Sequence, residues 1–118
     1  SEPFDDTYQR VMDAWRKAFE SLEDDFQSFQ DVRQGIGVDS VRQGLSQQIR
    51  LLKKIIRAIE RYEQVKIRAM NLGLRVEQLE ILLEDLERQL REAAQNERNN
   101  RRGGQSSGGG SGRGFRPS

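Results

Sequence analysis

The chain contains neither cysteine nor histidine. Without thiols it has no disulfide, no thiolate nucleophile and no zinc–thiolate centre. Without imidazole it lacks the usual general base, the relay of a catalytic triad and the commonest metal ligand. The adjacent carboxylates Asp24-Asp25 and Glu84-Asp85 point apart on a helix and cannot share one substrate. No phosphate-binding glycine loop and no EF-hand spacing occurs. The expectation is a protein that is not an enzyme, takes no cofactor or metal and has no small-molecule substrate. Apolar content is also low, with 34% hydrophobic residues and a mean hydropathy of −0.86. That is too little for a thick globular core and suits a helical hairpin or coiled coil of one domain. The longest aliphatic run, Ile81-Leu82-Leu83, is far too short to span a bilayer. With no signal peptide at the start, the expected location is intracellular, cytoplasmic or nuclear.

Charge is abundant and segregated under a net charge of only +1. Residues 1–34 hold nine acids and four bases, and residues 41–76 hold nine bases and two acids. Residues 77–97 return to seven acids and two bases, and from Arg98 onward there are five arginines and no acid. Such blocks restrict which segments can lie side by side.

Two helices are expected. The first runs from about Thr7 to Gln34, because Tyr8, Met12, Trp15, Phe19, Leu22, Phe26 and Phe29 keep to one face at 4-3 spacing. Asp6 is placed to N-cap it with Gln9, and Gly35 to end it in a left-handed C′ position. Asp39 or Ser40 caps the next helix, Ser40 having Gln43 in the capping-box position, and no proline interrupts residues 40–98. The expectation is one helix of about 55 residues, about 80 Å long. It bears two apolar stripes. One is a heptad seam from Leu51 to Ala93 that includes Leu72, Val76, Leu79, Leu83, Leu86 and Leu90. The other runs from Leu45 through Ile49, Leu52, Ile56, Ile59, Ile67, Met70 and Leu74 to Ile81. The first helix covers only one stripe, so the second is expected to meet another chain.

An antiparallel pairing centred near Asn71 lays basic on acidic blocks at both ends, with Gly73 permitting close approach there. The expected fold is therefore all-α: a helical hairpin with one long second helix, forming an antiparallel helical-bundle or coiled-coil dimer. A tetramer is the competing homo-oligomer. The interface residues are Leu72, Val76, Leu79, Leu83, Leu86 and Leu90. The domain is assigned to residues 1–97, followed by a disordered Arg/Gly-rich tail over 98–118.

A basic stripe runs along the second helix through Arg50, Lys54, Arg57, Arg61, Arg68 and Arg75. Such a line can follow the phosphates of a duplex. The alternative is that it pairs with acids of the first helix or the partner chain, and both hold if pairing uses only part of it. In the tail, Arg101-Arg102-Gly103-Gly104 and Gly112-Arg113-Gly114-Phe115-Arg116 resemble the RGG boxes of RNA-associated proteins. The resemblance implies phosphate contacts from Arg101, Arg102, Arg113 and Arg116 and base stacking by Phe115. Membrane association of the basic helix is not expected, since packing claims both of its apolar faces. The function expected is sequence-independent nucleic-acid binding by an oligomer, RNA ahead of DNA. In architecture alone, with no motif behind it, such a dimer resembles small viral proteins that suppress RNA silencing along double-stranded RNA. The other class is a structural or adaptor scaffold whose bundle oligomerises and whose tail recruits a partner or drives condensation.

Overall fold

A computed structural model describes residues 2–106 as four helices: α1 (Glu2–Arg33), α2 (Val41–Arg61), α3 (Glu63–Asn71) and α4 (Val76–Ser106). The class is all-α, but the single long second helix does not form. It is interrupted at Tyr62 and again over residues 72–75. The second interruption reverses the chain, so that α4 runs back along α2.

The reversal is made by Gly73. Its φ is +80°, a conformation that costs other L-residues energy. The Gly73 N–H donates to the Met70 carbonyl (3.0 Å) and the Leu74 N–H to the Ala69 carbonyl (2.8 Å). This is a Schellman C-cap. The turn after α1 is the same device: Gly35 has φ +86°, and the Gly35 and Ile36 N–H groups reach the Val32 and Asp31 carbonyls, both at 2.9 Å. Gly73 is therefore a chain-reversing cap and not a point of close helix approach; no neighbour lies within 4 Å of where its Cβ would stand.

The break at Tyr62 carries no glycine or proline. Tyr62 takes an extended backbone (φ −128°, ψ 125°), and its half-buried ring joins the core. Aromatic residues tolerate that geometry better than they favour a helix. The α2 start agrees with the sequence expectation: Ser40 Oγ accepts from the Gln43 N–H at 3.1 Å, while Gln43 Oε1 accepts from the Asp39 N–H at 2.6 Å. The α1 start does not. The helix begins at Glu2, with Asp6 and Gln9 inside it, because Pro3 fits a first helical turn.

α2 is the central element. It packs against α1 on one flank and α4 on the other, and α3 also touches α1. The core takes Leu22 and Phe29 from α1, both stripes of α2, Val65 and Ala69 from α3, and Leu79 and Leu86 from α4. Both stripes of α2 are buried within one chain, Leu51 and Ile55 of the seam together with Leu45, Ile49, Leu52, Ile56 and Ile59, so neither is left over along α2 for a partner. The particle measures 77 × 25 × 20 Å. Its length comes partly from α1, whose first half reaches past the core with Phe4, Tyr8, Val11 and Met12 exposed. α4 continues past the expected boundary at Arg98. Hydrogen bonds from Gln95 to Asn99 (3.1 Å) and from Arg98 to Gln95 (2.6 Å), with Glu97 3.8 Å from Arg101, support the added turns. Among the described residues no helix is long and apolar enough to cross a membrane.

Candidate nucleic-acid interface

The basic stripe is divided by the two interruptions. Arg50, Lys54, Arg57 and Arg61 occupy one exposed face of α2; Arg68 lies on α3 and Arg75 in the turn before α4. The continuous line of charge expected over α2–α4 is thus reduced to the α2 segment, about 16 Å long at the helical rise. Only a helix unbroken through residue 75 could have carried the longer line.

Pairing uses part of the stripe. Lys54 Nζ lies 3.2 Å from Asp25 Oδ1, and the Arg68 guanidinium lies 3.0 Å from Glu23 Oε2. Arg68 also stacks over the Phe19 ring at 5.6 Å. Both pairs tie the stripe to α1. Two further bases outside the stripe reach α4: Arg42 to Glu97 at 3.0 Å and Lys53 to Glu87 at 3.6 Å. By contrast, Arg50, Arg57, Arg61 and Arg75 form no ion pair among the described residues. Arg61 lies 5.5 Å from the ring of Tyr62, leaving its outer face to solvent.

Two of the unpaired arginines, Arg57 and Arg61, border a groove of about 600 Å³ between α1 and α2, whose lining also includes Ala18, Lys54, Ala58 and Tyr62. It combines cationic walls with small or aromatic side chains at its floor. Asp25 and Glu60 also line it. Asp25 is already engaged by Lys54, and it is the less exposed member of that pair.

Of the tail residues, Arg101 and Arg102 are exposed on the last turns of α4. Arg113, Phe115 and Arg116 lie outside the described residues. The six expected interface residues are now in one chain's own hairpin. Leu79 and Leu86 are buried, Val76, Leu83 and Leu90 are half-buried, and Leu72 is exposed in the turn. Sequence reasoning missed the exposed aromatic end of α1, where Phe4 and Tyr8 stack at 6.4 Å between centroids. Its 4-3 spacing is that of a core seam, and only the register of the turn after Arg33 decides how much of the seam meets α2.

The chain matches no protein-family model, no curated protein and no solved structure. Over the described residues, the fold and surface define four helices, all-α, with a cationic face on the central helix α2.

Proposed function

We propose that this is a non-enzymatic nucleic-acid-binding protein that grips phosphates without reading sequence, RNA ahead of DNA. One observation carries the reading: Arg50, Arg57 and Arg61 stay unpaired beside Lys53 and Lys54, although the flanking helices are acidic. Like charges four residues apart, as in Arg50 with Lys54 and Arg57 with Arg61, cost a helix a few tenths of a kcal/mol (about 0.2–0.5 each). A phosphate backbone laid along α2 would relieve that repulsion and release its own counterions. The tail arginines and Phe115 would add contacts suited to single strands. A homodimer would present two such sets and gain avidity without a new contact. A location inside the cell, in cytoplasm or nucleus, belongs to the same proposal.

A scaffold or adaptor role is the second reading, favoured by the uncovered Phe4, Tyr8 and Met12 face of α1. A gel-shift series with duplex RNA, duplex DNA and single strands at two salt concentrations separates the two. Binding is expected to all three and to weaken with salt, with a slope of about −0.9 per duplex phosphate contact or about −0.7 per single-strand contact. Absence of binding to any of them at low salt overturns the proposal and leaves the scaffold.

A further inference from the structure

The ion pairs between α2 and α4 join 42 with 97 and 53 with 87, so the hairpin is antiparallel and centred at about residue 70. That centre lies in the last turn of α3, just before the 72–75 reversal. An antiparallel pair folded about its own midpoint can exchange its second arm with another copy. If the turn opens into helix, a second copy opened in the same way restores every α2–α4 contact, with α4 of each chain on α2 of the other. The heptad seam favours this form, because its 4-3 spacing continues from Leu51 to Ala93 straight through Leu72 and Val76, where the closed chain bends.

The surface left uncovered by the closed form points the same way. Ile67, Met70 and Leu72 flank the turn and are 46%, 52% and 43% exposed. With antiparallel registration about residue 70, Leu72 of each opened copy falls on the heptad seam of the other beside Ala69, while Ile67 and Met70 lie on the second stripe, toward α1. The overhanging half of α1 is accounted for by the same movement. Asp25 lies against Lys54, and that register carried straight on places Met12 opposite Ile67 and Tyr8 opposite Asn71. In the closed form the chain turns away at Tyr62 before reaching them.

We infer that this surface takes a second copy of the chain: two molecules exchange α4 by straightening Tyr62 and the 72–75 turn, burying the apolar turn residues and the α1 overhang in a two-fold dimer. Arg68 gives up its pair with Glu23 in the exchange, while the Arg42–Glu97 and Lys53–Glu87 pairs re-form between chains. The inference rests on the homodimer part of the proposed function and is independent of nucleic-acid binding.

Lys53→Cys combined with Glu87→Cys, in full-length protein that has no other cysteine, reports which chain supplies α4. Treatment with a short bismaleimide is expected to give a covalent dimer from the dimer fraction isolated by size exclusion. Gly73→Ala should increase the dimer association constant by at least about tenfold, since alanine disfavours the positive-φ turn and favours continuous helix in both chains. Light scattering reads that shift without crosslinker. A dimer whose crosslinks all lie within one chain overturns the exchange and leaves a dimer built on another surface. A monomer mass at every concentration, for the parent chain and for Gly73→Ala, overturns the exchange and the homodimer together. Should Gly73→Ala fail to fold, the crosslink in the Gly73 background still decides between these outcomes.

Discussion

Lys53 and Lys54 are neighbours in α2 and reach opposite partners: Lys53 Nζ lies 3.6 Å from Glu87 on α4, and Lys54 Nζ lies 3.2 Å from Asp25 on α1. One step along a helix turns about 100°, so consecutive lysines mark the two edges of the face left to solvent. Between those edges lie the unpaired arginines. The charge blocks of the sequence are in this way satisfied inside one chain, acid on base at both flanks of the central helix.

These pairs guide registration more than they stabilise. Lys53→Ala and Lys54→Ala should each cost less than about 1 kcal/mol, the range for exposed ion pairs. Urea unfolding of the two variants at low and high salt checks this, with the difference from the parent shrinking as salt rises.

Stability comes from the apolar layer on both sides of α2. Leu52 is fully buried, and Leu52→Ala should cost about 2–5 kcal/mol. Ile81 is 68% exposed, so Ile81→Ala should stay within about 0.5 kcal/mol. Urea midpoints measured on the same preparation separate the two cases. Equal losses would mean that Ile81 is covered by another chain.

The helical faces were legible in the sequence because they depend only on spacing. Leu45, Ile49, Leu52, Ile56 and Ile59 form one face whichever neighbour covers them. The identity of that neighbour was not legible. Whether α4 belongs to the same chain depends on one residue, Gly73, whose conformation is a choice between a cost of about 1 kcal/mol in a helix and none in a left-handed cap. Gly35 was read correctly as a cap because Gly37 and Asp39 follow it and mark a loop. Gly73 stands alone in a strong helical pattern. Tyr62 carries no glycine or proline signal, and its extended backbone goes with a ring packed against the core. The division of the basic stripe into paired and unpaired members required the α1 register, which fixes Lys54 on Asp25 and Arg68 on Glu23.

Gly35→Ala provides a control on the capping argument. Alanine at φ +86° should destabilise the fold by about 1 kcal/mol or more, because no alternative helix compensates. A thermal melt reads the loss. Unlike Gly73→Ala, this variant should leave the monomer–dimer ratio unchanged.

The pH dependence should be flat across the neutral range, since the chain has no histidine to change charge between about pH 5 and 8. In acid, Asp85 contributes. Its carboxylate accepts hydrogen bonds from Arg88 and then Gln89, which hold its pKa below the usual carboxylate value. A lowered folded pKa means that this stabilisation is present above the unfolded value and disappears as pH falls through the folded one. Asp85→Asn should therefore lower stability slightly near neutrality, flatten the acid limb of the stability curve, and converge with the parent in strong acid. Chemical unfolding at a series of pH values measures both limbs.

The claim that the unpaired arginines are the binding surface is tested most directly by comparing two variants with duplex RNA over a salt series. The first changes Arg50, Arg57 and Arg61 to Gln, and the second changes Lys54 and Arg68 to Gln. The expected result is a strong loss of affinity in the first, with the salt slope reduced by about 0.9 for each arginine that contacts phosphate, and a smaller loss in the second. Equal effects from the two variants, or an unchanged slope in the first, would contradict the assignment of this face to nucleic acid.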